Sequence, residues 1–222
     1  MTFLKTNIIS KKLLFNLSLL LLSSFLINAS FFISPRLKTN TPLKNNEFLL
    51  EYLSIKYPDQ SFENFIYVGV KRQEMDLYLN GNHVISYPVS TSMHGAGTKA
   101  GSDMTPIGLH KIRGKFGSDV PLGGILKARK FTGEIARIQT EAIESGEDAI
   151  TTRILTLQGL ENGINLGGEL DSYGRHIYIH GTAEEGLIGQ PASHGCVRMK
   201  NEDVIDLFNR VNKDLTVIIL NN

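Results

Sequence analysis

Apolar and polar residues alternate in short runs from Phe65 onward. The period-two runs predict strands at 65–70, 75–79, 83–89, 108–113, 153–158, 175–180 and 215–220. Asn80-Gly81 is a two-residue turn signal that folds the second and third of these into a hairpin. Two stretches follow helical spacing instead. Asn46 opens one, with Phe48, Leu49, Tyr52, Leu53 and Ile55 apolar and Pro58 beyond its end. Asn201 is placed to cap the other, with Glu202 and Asp203 in its first turn and Val204, Ile205, Leu207, Phe208 and Val211 as its apolar stripe. These elements predict a mainly β fold with minor α content, a sandwich or partly open barrel, with one helix directly after the only cysteine.

Residues 116–151 interrupt the pattern. Glycines at 117, 123, 124, 133 and 146 surround a candidate helix at 134–144. An excursion of this length reads either as a substrate-binding flap or as a surface insertion.

Ahead of the folded part, Lys5, Lys11 and Lys12 precede a leucine-rich stretch from 13 to 29. That pattern is expected of a secretory signal cleaved near Ala29-Ser30, or of a retained single anchor, and either outcome exports the remainder from the cytoplasm. The expected organisation is therefore residues 1–29 as signal or anchor, 30–64 as tether and short helix, and 65–222 as one folded domain. With 222 residues and 41% hydrophobic content, one substantial core is expected. The net charge of +1 and the absence of a basic stripe argue against a nucleic-acid partner.

The single cysteine rules out an intramolecular disulfide and a multi-thiolate metal cage. It lies in P-A-S-H-G-C-V-R-M, which follows R-H-I-Y-I-H-G-T after a short loop. Alternation along 175–180 sets Ile177 and Ile179 on one face and His176, Tyr178 and His180 on the other, with His180 at the strand end beside Gly181. A thiol with an ordinary pKa near ~8.5 needs a base to become a nucleophile at neutral pH. His180 is the candidate base for Cys196, its second ring nitrogen fixed by a backbone carbonyl or by Ser193. His194 is a second, electrostatic contributor. The amides of Gly195 and Cys196 are candidate oxyanion donors. Arg198 is a candidate to grip a substrate carboxylate or to lower the thiol pKa. Ser193, Tyr178 and Gly181 complete the candidate substrate-binding set. A competing reading makes His180, His194 and Cys196 zinc ligands. His83, His94 and His110 read as structural, with His94 near the site through the His94-Gly95 turn.

The sequence H-G-T followed by S-H-G-C-V-R-M resembles the L,D-transpeptidase catalytic domain, the YkuD family. His180, a spacer of roughly a dozen residues, and then Ser193, His194, Gly195 and Cys196 stand in the family order, and T-P-I-G at 105–108 resembles a second family segment. Arg198 departs from the strictest pattern, which has asparagine there. The resemblance spans about 65–220. It implies a β-sandwich-like fold and a cofactor-free acyl transfer on peptidoglycan peptide stems through a Cys196 thioester. The acceptor would be a second stem, a lysine of an outer-membrane lipoprotein, or water, which would make the protein a carboxypeptidase. A wall-binding module without turnover is the alternative of another class.

Overall fold

A computed structural model describes residues 45–146 and 148–222. The signal or anchor segment and most of the tether lie outside them. Residues 46–222 form one compact unit. The helix α1, Asn45–Lys56, leads into strands β1 (Phe65–Gly69), β2 (Glu74–Leu79), β3 (Asn82–Pro88), β4 (Gly108–Phe116), β5 (Gly124–Lys127), β6 (Lys130–Ile135), β7 (Ile150–Gly159), β8 (Tyr178–Thr182) and β9 (Val197–Met199). Helix α2 (Asn201–Arg210) and strand β10 (Thr216–Leu220) close the chain. Among the described residues no helix is long and apolar enough to cross a membrane.

The strands form one mixed sheet in the order β3-β2-β1-β10-β4-β7-β5-β6, with β8 added to β7 and β9 to β8. Pairing is antiparallel except for β1 with β10 and β8 with β9. Alternation sorts the side chains of β1, β2 and β10 between two cores. Ile66, Val68, Met75, Leu77, Val217 and Ile219 face the larger one, which they share with Leu155, Leu157, Ile177, Ile179, Val197, Met199 and the α2 residues Val204, Leu207 and Phe208. The sheet thus curls until strands from its two ends enclose α2, the sandwich-like arrangement expected from the strand pattern. Phe65, Tyr67, Tyr78, Leu109 and Ile218 face outward and are covered by Leu53 of α1, with Leu49 and Leu50 packed against the same cluster.

Three sequence expectations fail. Residues 134–144 form no helix: Glu134 and Ile135 end β6, and the following backbone bonds outward, Ala136 N–H to the Gly123 carbonyl and Gln139 N–H to the Ala183 carbonyl. The strand expected at 175–180 begins only at Tyr178, because residues 172–176 turn, with His176 at φ +57°. Asn201 is the first residue of α2 rather than its cap, a position held by Lys200.

Candidate active site

The loop that carries the cysteine is clamped on both sides. Ser90 and Arg198 exchange backbone hydrogen bonds, Ala192 and Ser193 N–H both donate to the Thr91 carbonyl, and Met93 N–H donates to Ser193. On the other side β9 lies parallel to β8, with Ile179 opposite Val197 and His180 opposite Arg198. Ser193 organises the turn itself. Its hydroxyl accepts from the Gly195 N–H at 3.2 Å and donates to the Cys196 carbonyl at 2.6 Å. Gly195 sits at φ +122°, a conformation that disfavours any side chain, and a Cβ there would crowd Ile177 Cδ1 at 3.2 Å and the Met104 carbonyl at 3.3 Å.

The bulge in β7 sets the strand end that holds His180. Register shifts between Thr151 and Ile154, with Thr152 at φ +65°. The Thr151 and Thr152 hydroxyls both donate to Asn201 Oδ1, while Asn201 Nδ2 donates to the Thr182 carbonyl at 2.9 Å and to Glu185 at 2.6 Å. One buried asparagine therefore ties β7, β8 and α2 together. Gly181 lies in the crowded centre of this junction, where a Cβ would come within 2.8 Å of both Asn201 Oδ1 and the Thr151 carbonyl. Its role is close approach of backbone, not substrate contact.

Alternation and register put Cys196, Arg198, Tyr178 and His180 on one face of the β8–β9 pair, opposite the core-facing Ile179, Val197 and Met199. Cys196 and His180 are diagonal neighbours, with about 8 Å between their Cα positions from ordinary strand spacing and rise. His180 is 2% exposed, and its Nδ1 is 2.8 Å from the Gly181 carbonyl. A carbonyl only accepts, so Nδ1 carries the proton and Nε2 keeps its lone pair. Burial, partly offset by the Asp148 charge and the Gly181 bond, holds the imidazole below its ordinary pKa and so neutral at pH 7.

The sulfur is partly buried. Tyr178 N–H donates to it at 3.3 Å, and the thiol donates to the His176 carbonyl at 3.5 Å. Its hydrogen bonds are thus to the backbone of Tyr178 and of the turn before it, and not to His180. Burial pushes the thiol up to about 11; the Tyr178 N–H, Arg198 and Arg175 oppose the rise and Asp148 adds to it. The resting group is a thiol, and no thiolate–imidazolium pair is preformed.

Arg198 does not present its guanidinium to a ligand. It is 1% exposed, with Nη1 2.9 Å from Glu184 and Nη2 2.6 Å from Asp148. The expected grip on a substrate carboxylate gives way to a structural role, since both forks already face carboxylates. Asp148 also accepts from His194 Nδ1 at 3.0 Å, and Glu184 accepts from the N–H and hydroxyl of Ser145. Ser145 and Asp148, near the end of the 116–151 excursion, are thereby fastened to the strand after the cysteine. Asp148 and Glu184 carry no local sequence signal for this; they meet Arg198 only through the fold.

Of the other candidates, Ser193 is fully buried and spends its hydroxyl on the turn, which also consumes the Gly195 N–H intended for the oxyanion. The Ser-x-Gly spacing is itself the signature of such a side-chain-to-backbone bond. Among the described residues the Cys196 N–H has no hydrogen-bond partner and remains the one unspent candidate of the expected two oxyanion donors. Tyr178 is buried beside Cys196 with Val120, Leu126 and Ile154. His194 is exposed. His110 is held by the Gly108 carbonyl and Ser172 and driven to about 4 by burial, and His83 pairs with Asp76 and Ser86. His94 lies on the exposed turn next to Ser92, itself bridged to Ser193. Among the described residues no set of three or more His, Cys, Asp or Glu side chains is arranged to hold a metal ion. Sequence reading passed over Arg175, which lies beside the sulfur and lines the adjoining cavity.

Residues 63–219 match the model of the YkuD family, the L,D-transpeptidase catalytic domain. The chain belongs to this family. L,D-transpeptidase structures similar to it include L,D-transpeptidase 3 from Mycobacterium tuberculosis in complex with a faropenem-derived adduct, at 14% identity, covering 71% of this chain and 60% of that one with TM-score 0.43. The L,D-transpeptidase from Mycobacterium smegmatis is 15% identical over 71% of this chain and 58% of its own, with TM-score 0.42. Bdellovibrio bacteriovorus Bd1075 is 14% identical over 72% and 48%, with TM-score 0.45. The chain thus spans about half to three-fifths of the length of these proteins. No curated protein sequence matches it.

Proposed function

We propose that this YkuD-family domain is an L,D-transpeptidase that acts on peptidoglycan tetrapeptide stems with Cys196 as nucleophile and His180 as base. The observation that carries the proposal is the fixed tautomer of His180: its Nδ1–H is bound to Gly181, so the Nε2 lone pair is available on the face that bears the cysteine. The thiol leaves the His176 carbonyl by rotation about χ1 and gives its proton to Nε2 as sulfur attacks the carbonyl of diaminopimelate. The Cys196 N–H stabilises the oxyanion. His180 then returns the proton to the departing D-alanine amine as the C–N bond breaks, which leaves a thioester. An acceptor amine attacks the thioester, its proton passes to Nε2, and the thiol is regenerated as the new amide forms. No cofactor takes part, because the sulfur divides one difficult acyl exchange into two easier steps.

The acceptor is a second stem or a lysine of an outer-membrane lipoprotein, and the reaction takes place in the periplasm. The support for export is the Lys5-Lys11-Lys12 and leucine-rich pattern, which lies outside the described residues.

The test is incubation of the exported domain with a disaccharide tetrapeptide. Release of D-alanine together with a cross-linked dimer is expected. Release with tripeptide alone identifies the hydrolytic member of the same chemistry. No release, with binding to sacculi unchanged in Cys196→Ser, overturns the proposal in favour of a wall-binding module.

A further inference from the structure

A cavity of about 290 Å³ adjoins the cysteine, with Asp103, Arg175, Ile177 and His194 on its walls and glycine backbone completing them. It lies one residue from the sulfur: His176, between Arg175 and Ile177, turns its carbonyl to Sγ at 3.5 Å, and Ile177 abuts Gly195. Its volume is at the small end for a ligand pocket and suits one side chain rather than a whole stem.

Among the described residues the charges on its walls are not paired at contact distance, although Asp103 acts on Arg175 through space. Arg175 donates to the carbonyls of Gly97 at 3.3 Å, Thr98 at 2.8 Å and Met104 at 2.7 Å. These hold the 97–104 loop but offset no charge, and of five guanidinium N–H groups two remain. Among the described residues no carboxylate lies within ion-pair distance of Arg175, whereas Arg198, on the other flank of Cys196, has two. Asp103 faces the same cavity, exposed, with no ion pair or hydrogen bond to its carboxylate among the described residues. A free guanidinium and a free carboxylate that do not reach each other match a ligand that carries both opposite charges.

Within a peptide stem, an α-amino acid end has that chemistry: the ammonium and carboxylate at the far end of the diaminopimelate side chain, three methylenes from the α-carbon next to the attacked carbonyl. We infer that the cavity binds this zwitterionic end, carboxylate on Arg175 and ammonium on Asp103, and so selects diaminopimelate stems. The inference rests on the proposed function and deepens it.

The test is a cycle of binding measurements by calorimetry on Cys196→Ala, with stem tetrapeptides that carry diaminopimelate, its side-chain carboxamide, or lysine in its place. The diaminopimelate stem is expected to bind about tenfold to a hundredfold more tightly than the other two. Arg175→Gln in the same background should erase that preference, and Arg175→Lys should restore part of it. A loosened 97–104 loop would weaken all three ligands alike, so the ratio isolates charge recognition. Equal affinities for acid and amide, a preference that survives Arg175→Gln, or no binding of any stem overturns the inference. The proposed function is judged separately, by D-alanine release from wild type. Donor and acceptor stems both carry this end. In the acceptor the amine of this end is the nucleophile and must be free to attack, so Arg175→Gln is expected to slow thioester formation, and an effect confined to thioester resolution overturns the inference.

Discussion

Replacing Arg198 with methionine removes a charge from between two carboxylates while keeping an unbranched stem beside β9. Glu184, with a side chain 3% exposed, would keep only its bonds from Ser145 and stand as an uncompensated buried carboxylate. Removing one partner of a buried ion pair costs about 3–5 kcal/mol. Asp148 is 32% exposed, so solvent screens its share to about 1 kcal/mol or less. At ~2–4 °C per kcal/mol for a domain of this size, Tm should fall by roughly 6–20 °C in scanning calorimetry. Adding Glu184→Gln to Arg198→Met neutralises the stranded group and should recover more than half of the loss. The pH dependence has a definite sign. Burial pushes the Asp148 carboxyl up, but Arg198, with His180 and His194, outweighs burial and holds it below the usual value of 3.8. A depressed carboxyl stabilises the fold above its unfolded pKa and loses that contribution as pH falls through the folded one. The margin of wild type over Arg198→Met should therefore shrink below about pH 4. A Tm loss under about 3 °C, or none recovered by Glu184→Gln, would refute the reasoning.

Alkylation of Cys196 by iodoacetamide should rise about tenfold per pH unit from pH 7 to 10, because the thiol titrates at about 11; a plateau near neutrality would mean a preformed thiolate. Carbapenem acylation should be lost only at a pH below the ordinary imidazole range, since burial holds His180 neutral below its ordinary pKa, and a loss centred on 6.5 or above would contradict that. His180→Ala should slow acylation about 10²–10⁴-fold while alkylation at pH 10 changes little. Asn201→Leu should lower stability by roughly 3 kcal/mol or more in urea unfolding, since it strands the Thr182 carbonyl and Glu185 and leaves two threonine hydroxyls without their acceptor.

Much of the scaffold was legible because its determinants are local. Period-two runs located seven of the ten strands, and the stripe from Val204 to Val211 located α2. The β5–β6 hairpin was not legible. Ile135, Ile138 and Ala142 carry helical spacing, yet the Gly123 and Ala183 carbonyls take the amides of Ala136 and Gln139, so tertiary bonding overrides local preference. The site divides the same way. His180 and Cys196 were found because strand alternation and a short loop put them on neighbouring strands. The burial of Arg198 was not, because it depends on Asp148 and Glu184, which lie 50 and 14 residues away and reach it through folded contacts. Arg175 escaped notice for the converse reason: its significance is the lack of a carboxylate at contact distance among the described residues, which only the folded arrangement reveals.

The assignment of Cys196 as nucleophile is tested most directly by intact mass and peptide mapping after exposure to a carbapenem. The expected result is one covalent adduct on the peptide containing Cys196 in wild type, none in Cys196→Ala, and slow accumulation in His180→Ala. An unmodified wild type, or an adduct that persists in Cys196→Ala, would contradict it.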